Sequence, residues 1–426
     1  MNSLKRRLTE RYHWIIAVIV FIQMFVFGGI VNSQSVYLIP ITVDLGISRG
    51  TYSLLNMVSS LASTLSTIVV AFFFQRFGYR KIVQASLGLQ VASFVIAAVS
   101  NSLWTLGFSK LLFGLGYGAC HTAGATWIVK AWFHKHRGAV MGVVTMATGL
   151  GGSLFSVMLT SVMQFSNWRW AYIASGVLEV VIILLFLFLR NAPADMGIAP
   201  YGEGLALEDK KSKRKIKEWP GISVQATKRH PAYWLICGCV LVSSVCINIT
   251  FGVVVPHFQD NGYSATAAAQ YQSVMMFFVA IAKLFGGWLS EKIGGKAVAI
   301  LCVGCAAVSQ LGLADVSNPV LSYGYVSIFS MALIVTSLVI SLMSEAVFGH
   351  ETSVHVVGLL LGMGTLAGVV ASPISNYFFD MMGSYNLLFQ IVAFVNVGVM
   401  ILLLVGFRWF GKKEKQYLRE KVAGEV

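Results

Sequence analysis

Long apolar stretches separated by short polar segments run along nearly the whole chain. The first, "HWIIAVIVFIQMFVFGGIVNSQSVYLI", is longer than the core of a signal peptide and lacks a small-residue cleavage site, so we interpret it as a retained span. A helix that rises about 1.5 Å per residue needs about 20 apolar residues to cross about 30 Å of hydrocarbon. The pattern therefore predicts twelve spanning helices, over residues 14–37, 50–74, 80–100, 103–127, 139–163, 169–190, 232–256, 266–290, 296–315, 319–346, 354–379 and 384–408.

A polar segment divides these spans into six plus six. Residues 191–231 contain four prolines and charges of both signs, which cannot stay in lipid. We predict an N-terminal six-helix bundle over 1–190, a cytoplasmic linker over 191–230, a C-terminal bundle over 231–410 and a cytoplasmic tail over 411–426. The linker's basic run "KKSKRKIK" is interpreted as a solvated face, with contact to anionic lipid as the alternative.

Composition and charge support an all-α membrane protein. The 426 residues are 57% hydrophobic and 11% charged, against about a quarter charged in soluble domains. Of the 31 lysines and arginines, 27 fall on one predicted side and only Arg49 and Arg169 on the other. This asymmetry places both termini in the cytoplasm of a multi-pass protein of the cell membrane. The net charge of +14 thus indicates topology, and we expect a monomer in the lipid bilayer with no nucleic-acid partner.

All six cysteines lie within apolar runs, where a thiol packs as a small residue. Cys302 and Cys305 have metal-like spacing, but no second pair accompanies them, so we favour packing over a metal site. We expect no disulfide, metal, cofactor or catalytic residue.

A repeat relates the two halves. "AFFFQRFGYRK" (71–81) aligns with "GWLSEKIGGKA" (287–297) at a constant offset of 216, and both segments follow the second span of their half. "SNWRWAYIASGV" before the sixth span and "GSYNLLFQIVAF" before the twelfth show a looser similarity. Two parallel repeats predict a transporter with pseudo-symmetric six-helix bundles and a site near the membrane midplane.

These paired segments resemble the gating loop of the major facilitator superfamily. In that loop an acid can cap a helix end while bases hold neighbouring helix ends. Ala71 and Gln75 replace the expected glycine and acid, so the first loop is expected to lock more weakly. The resemblance assigns gating roles to Gln75, Arg76, Gly78, Arg80, Gly287, Glu291, Lys292, Gly294 and Lys296.

A narrower resemblance is to the oxalate/formate antiporter and monocarboxylate transporter branch. It is carried by "VKAWFHKHRGAVMGVVTMATGLGGSLFS" (129–156) and by "VVGLLLGMGTLAGVVASPISNYFFDMMGSYNLLF" (356–389). The branch has an arginine in the eighth helix, before a Gly-Trp pair, where this chain has Lys283. By resemblance, Lys283 holds a substrate carboxylate as a point charge instead of a two-pronged fork.

The residues themselves also single out Lys283. An amine in the middle of a spanning helix costs about 2.5–3.5 kcal/mol, so it normally faces protein or a water-filled cavity. Gln272, Met276, Val279 and Lys283 are spaced along one helix face. The alternative is a packing or snorkelling lysine near the gate.

The first and fourth helices supply further candidates. Lys110, Gly114, Tyr117 and His121 share a helical spacing; Tyr117 and His121 could bind an anion, and His121 could exchange a proton. Lys110 is a candidate too, with bonds to carbonyls of neighbouring helices as the alternative. Asn32 and Gln34 lie in a polar break that either lines a cavity or marks a kink. For His257 and Asp260 we favour a structural role at a loop.

Acids are missing from the central helices. Glu179 is well inside a span, but the sixth helix is peripheral in the resembling superfamily, so we do not expect it to touch substrate. The eleventh helix lacks the cation that oxalate exchangers of the branch add there. We therefore expect a monocarboxylate, carried by alternating access with proton symport or anion exchange. The alternatives are an exporter of amphipathic drugs or metabolites, a membrane-embedded hydrolase, and a transporter-like sensor.

Overall fold

The computed structural model describes residues 2–202, 223–335 and 339–423, which are almost entirely helical. The run "KKSKRKIK" lies outside the described residues. The helices are α1 (Asn2–Asn32), α2 (Leu38–Leu45), α3 (Arg49–Phe77), α4 (Tyr79–Ala98), α5 (Leu103–Cys120), α6 (Thr122–Trp132), α7 (Arg137–Phe165), α8 (Trp168–Leu185), α9 (Val224–Arg229), α10 (Pro231–Asp260), α11 (Ala265–Ile293), α12 (Gly295–Leu313), α13 (Pro319–Leu333), α14 (Ile340–Phe348), α15 (His350–Met382) and α16 (Asn386–Ala423).

Ten segments of the described chain are long and apolar enough to cross a membrane, and α13 is a shorter apolar helix. The predicted fourth span is divided between α5 and α6, and the predicted tenth between α13 and α14. With these two added, the helices account for the twelve predicted spans. The predicted all-α membrane architecture is therefore confirmed.

The described residues group into two compact units. The first contains 2–202 together with Ser264–Ala280, and the second contains 223–263 and 281–423. Helix α11 contributes its first half to the first unit and its second half to the second. The domain boundary predicted at the linker stays a prediction.

In the first unit, α1 packs along α7 and α4 packs along α5 and α8. Close approach between α1 and α7 depends on glycine. A Cβ on Gly28 would overlap Thr148, and a Cβ on Gly151 would overlap the carbonyl oxygen of Phe25. Spanning helices commonly associate through such small residues, because burying apolar side chains gains little when the surrounding lipid is equally apolar.

The fourth span is broken at His121, whose backbone is extended (φ −91°, ψ −166°). The carbonyl oxygen of Cys120, next to the break, accepts a hydrogen bond from Nε2 of Gln23, 3.0 Å away. A backbone group at this depth must find a partner inside the protein, because lipid offers none. The α1 side chain therefore helps to stabilise an interruption that the apolar pattern does not indicate.

The second unit repeats the pairings of the first. Helix α10 packs on α15 as α1 packs on α7, and α12 packs on α16 as α4 packs on α8. The two gating segments also match in backbone geometry. Gly78 (φ 83°, ψ 152°) begins α4, and Gly294 (φ 84°, ψ 148°) begins α12. Because this left-handed φ favours glycine, both repeat positions need that residue.

Candidate functional site

The polar break predicted after the first helix is present and is held by hydrogen bonds. Helix α1 ends at Asn32 and is followed by a 3-10 turn over Gln34–Tyr37. Nδ2 of Asn32 donates to the carbonyl oxygen of Thr148 on α7 (2.9 Å), and Nε2 of Gln272 on α11 donates to the carbonyl oxygen of Asn32 (2.7 Å). Thus α7 and α11 satisfy polar groups that the break exposes.

Gln272 lies at the centre of this arrangement. Its side chain is fully buried, yet none of the described residues forms a hydrogen bond with its Oε1 atom. Met276 and Val279, further along the same predicted face, are also buried. A Cβ on Gly152 would approach both Asn32 and Met276 to 2.9 Å, so glycine makes room here. The first unit therefore brings Asn32, Gln272 and Met276 together and leaves one polar atom available for a further donor.

Lys283 lies inside the apolar span Ala265–Ile293, ten residues before its end. It is half-buried, between buried Ala282 and exposed Leu284. It belongs to the second unit, whereas Gln272 and Met276 belong to the first. The grouping of Lys283 with those residues therefore stays a prediction from helical spacing.

Lys110 and Gln34 form a pair that the sequence did not suggest. Nζ of Lys110 donates to Oε1 of Gln34 at 3.0 Å and lies 5.5 Å from the ring centre of Tyr52. Nε2 of Gln34 in turn donates to the carbonyl oxygen of Ile30 (3.2 Å). Both ends of the Gln34 amide are thus bonded to protein. This supports the structural alternative for Lys110, although the acceptor is a side-chain carbonyl instead of a backbone one.

Tyr117 and His121 lie together at the helix break. Their rings stack with centroids 4.8 Å apart, and the ring of Phe27 on α1 lies 5.2 Å from Tyr117 and 5.7 Å from His121. The break turns the chain at His121, so the predicted continuous stripe from Lys110 ends at Tyr117. Gly114 instead faces α3, where a Cβ would overlap the carbonyl oxygen of Ser59.

The gating segments occupy matching helix ends. Arg76 lies over the ring of Phe77 (5.5 Å), and Lys292 lies over the ring of Trp288 (4.2 Å). In the first half, Oδ1 of Asn191 accepts a hydrogen bond from the backbone N–H of Arg80 at 2.8 Å. This asparagine, which follows α8, was missed by sequence reasoning because only the tertiary fold brings it to the start of α4.

The other residues to which a gating role was assigned also lie at these helix ends. Gln75 is exposed near the end of α3, Gly287 and Glu291 lie in the last two turns of α11, and Lys296 lies in the first turn of α12. The gating roles of these residues stay predictions.

His257 has a structural contact at the end of α10. Its fully buried ring places Nε2 2.7 Å from the carbonyl oxygen of Leu313, which can only accept, so this nitrogen carries the hydrogen. Nδ1 lies 3.4 Å from the side-chain nitrogen of Asn261. His257 therefore has a structural role inside α10, where we expected a role in a loop.

These observations define a class: a multi-pass α-helical membrane protein of two repeated halves, with polar groups buried where spanning helices break. The sequence profile of the Major Facilitator Superfamily matches residues 14–347. The chain belongs to this superfamily and is a transporter of that class.

The chain also resembles individual known transporters at low sequence identity. The chain is 22% identical to the uncharacterised MFS-type transporter YcxA of Bacillus subtilis (93% of this chain, 96% of the relative). It is 21% identical to monocarboxylate transporter 13 of Bos taurus (92% and 88%). It is also 21% identical to the oxalate:formate antiporter of Oxalobacter formigenes (66% and 64%). The predicted resemblance to this branch is thereby confirmed at low identity.

Proposed function

We propose that this transporter carries a small organic anion, a monocarboxylate, across the cell membrane by alternating access. The observation that carries the proposal is Lys283, a half-buried cation inside an otherwise apolar span. A charge in such a position is normally functional and faces a partner or a water-filled cavity. The names of two relatives, a monocarboxylate transporter and an oxalate:formate antiporter, support an anionic substrate.

The charge balance favours one carboxylate. The segment 356–379 of the eleventh span contains no lysine or arginine that could bind a second one. Lys110, the other cation within a span, is bonded to Gln34. A single ammonium at Lys283 neutralises one carboxylate; the other substrate-binding residues predicted from the sequence, Gln272, Met276 and Asn32, belong to the first unit.

Coupling is proposed to use either a co-transported proton or exchange against another anion. His121 is our candidate for the proton-coupled case, because its imidazole titrates near neutral pH in water and lies at the break in the fourth span. Binding of a substrate carboxylate to the Lys283 ammonium would then bias which side of the transporter opens.

A thermal-shift screen of short-chain organic acids tests the anion site. We expect monocarboxylates to stabilise the wild type, and Lys283→Ala to weaken their apparent affinity by about tenfold or more because a charge-assisted contact is lost. Lys283→Arg should retain part of the effect. Lys130→Ala removes an exposed lysine at the end of α6, to which no binding or gating role is assigned, and serves as the control.

Equal stabilisation of wild type and Lys283→Ala by organic acids would remove the main support for this site. Stabilisation by amphipathic compounds instead of acids would favour the exporter alternative. Counterflow of a labelled acid in liposomes then separates a carrier from a hydrolase or a sensor, since only a carrier accelerates exchange of unchanged label.

A further inference from the structure

Glu179 is a buried acid that the transport proposal does not use. It lies in the middle of α8, its side chain is 1% exposed, and neither carboxyl oxygen has a hydrogen-bond partner within residues 2–202, 223–335 and 339–423. Among the residues that the structure describes, no lysine or arginine forms an ion pair with it. A carboxylate left bare in an apolar interior is very costly, and such a group is stable there only when neutral.

The side chain opposite Glu179 is equally unsatisfied. Helices α4 and α8 run antiparallel: Nε2 of Gln84 donates to the carbonyl oxygen of Ile183 (3.3 Å), and Gly176 packs against Phe94. Glu179 lies between these two contacts on α8, and Gln90 lies between them on α4. Gln90 is fully buried, and in the described part of the chain neither its Oε1 nor its Nε2 has a hydrogen-bond partner. The two carboxyl oxygens of Glu179 and the two amide atoms of Gln90 therefore lie at the same level between α4 and α8. We call this pair and its surroundings the layer of Glu179 and Gln90.

The groups around this layer are neutral or weakly acidic. Gln90 lies against Gly116 of α5, one turn before Cys120, and the Cys120 thiol is close enough to Glu179 for electrostatic interaction. Tyr79 of α4 donates to Oε1 of Gln23 on α1 (3.3 Å). The other charged or titratable groups of these helices are residues 5–7 and 10–13 in the first half of α1, Arg80 and Lys81 at the start of α4, Arg137 at the start of α7, and Arg169 and Tyr172 in the first two turns of α8. Helix α5 adds Lys110, which is bonded to Gln34, and Tyr117, which stacks on His121.

In the second half of the repeat, the residue that corresponds to Glu179 has hydrogen-bond partners. Asn167 accepts a hydrogen bond from the N–H of Arg169, and Ser384 accepts one from the N–H of Asn386, so the starts of α8 and α16 match at an offset of 217. That offset pairs Glu179 with Asn396. Nδ2 of Asn396 donates to Oε1 of Gln310 on α12 (2.8 Å), and its Oδ1 accepts from Ser243 (2.9 Å).

Like the asparagine amide at the counterpart position, a protonated carboxyl can both donate and accept a hydrogen bond. It offers one O–H donor and a carbonyl acceptor, whereas a carboxylate only accepts. A neutral Glu179 can donate to Oε1 of Gln90 and accept from its Nε2, directly after a small side-chain movement or through a buried water.

We propose that Glu179 is a proton-binding site of the N-terminal half, occupied in the folded transporter and completed by Gln90. Loss of the proton to solvent would leave an anion facing Cys120, whose carbonyl oxygen is held by Gln23 beside the break at His121. The proton thereby stabilises the packing of α4, α5 and α8 around the break. Glu179 acts on the helix break and does not contact the substrate.

Glu179→Gln tests the site because glutamine is neutral at every pH. In detergent, the infrared carbonyl band of a protonated carboxyl should be present in the wild type and lost in the variant. On raising the pH, the wild type should lose thermal stability relative to Glu179→Gln, since unfolding exposes an acid that ionises and releases its proton. We expect the gap in Tm to widen by roughly 2 °C per pH unit in the range where only the unfolded chain is ionised.

Transport activity tests the proposal independently of the infrared and stability measurements. Counterflow, measured without a proton gradient, should persist in Glu179→Gln and be less sensitive to alkaline pH than in the wild type. Asn396→Asp, which places an acid in the counterpart layer, should introduce a pH dependence of stability of the same sign. Glu179→Asn, which copies the counterpart residue, replaces Glu179→Gln if that variant folds poorly.

An unchanged carbonyl band together with a pH-independent Tm gap would overturn the proposal. So would loss of counterflow at every pH in a folded Glu179→Gln. Because the band and the Tm are measured without substrate, their outcome is independent of whether Lys283 binds an anion.

Discussion

At the scale of the residue, the cost of burying a charge explains several polar contacts of the first unit. The Lys110 side chain is 5% exposed, and its ammonium is hydrogen-bonded to the Gln34 amide and faces the Tyr52 ring. Removing one partner of a buried pair costs more than replacing both, because the group left behind stays unsatisfied. The pair therefore links α5 to the break after α1.

Gln34→Ala should destabilise the protein by about 1.5–3 kcal/mol, since it leaves a buried ammonium without its acceptor. Lys110→Met in the same background should restore much of that loss, because a methionine needs no acceptor. Thermal unfolding of the two single variants and the double variant measures the coupling. If the losses simply add, the 3.0 Å contact contributes no interaction free energy.

At the scale of the element, close packing of α1 on α7 fixes where the polar break lies. Gly28 and Gly151 allow the two backbones to approach, and the Asn32–Thr148 hydrogen bond follows at the end of α1. Any side chain at Gly151 would push against the carbonyl oxygen of Phe25. The backbone of α1 at Phe25 cannot move aside as a flexible side chain could, so a side chain at position 151 would force α1 and α7 apart.

Gly151→Ala is expected to destabilise the transporter by about 1–3 kcal/mol through overpacking. Gly142→Ala is the matched control on the same helix, since no atom lies within 4 Å of the position its Cβ would take. The control should be neutral or slightly stabilising, because alanine favours helix. Thermal unfolding measures the stability of both variants. Equal changes in stability for Gly151→Ala and Gly142→Ala would mean that α1 and α7 are not closely packed at Gly151.

At the scale of the whole molecule, the charge asymmetry predicts how the two repeated halves are oriented in the membrane. The halves share helix pairings and the glycine geometry at their gating segments. The basic residues that surround the predicted cytoplasmic ends should hold those ends on one side of the membrane. Residues 315–318, between α12 and α13, are then predicted to face outward, and α9 to face the cytoplasm.

A membrane-impermeant maleimide tests this topology in intact cells. Ser317→Cys should be labelled directly, whereas Gln225→Cys should be labelled only after the membrane is opened. The wild type is the control for background, which we expect to be low because five of its six cysteines are buried and Cys305 is half-buried. Direct labelling of Gln225→Cys alone would reverse the predicted orientation.

The candidate site could be predicted only in part. Lys283, Gln272, Asn32 and His121 stand out in sequence because a polar residue within an apolar run is conspicuous. Three residues that stabilise this region do not stand out: Thr148, which accepts a hydrogen bond from Asn32, Gln23, which donates one to Cys120 beside the break, and the capping residue Asn191. Serine, threonine and glutamine are common in spanning helices, and nothing in their spacing indicates which neighbour they meet.

The sequence by itself determined the spans and the repeat, because hydrocarbon demands about 20 apolar residues per crossing and excludes polar segments of the chain. Only the tertiary structure decided the break at His121, the Lys110–Gln34 pair and the layer containing Glu179 and Gln90. The reason is that lipid and protein interior are equally apolar. Hydrophobic periodicity in a membrane helix therefore does not identify the buried face, and close packing has to select it.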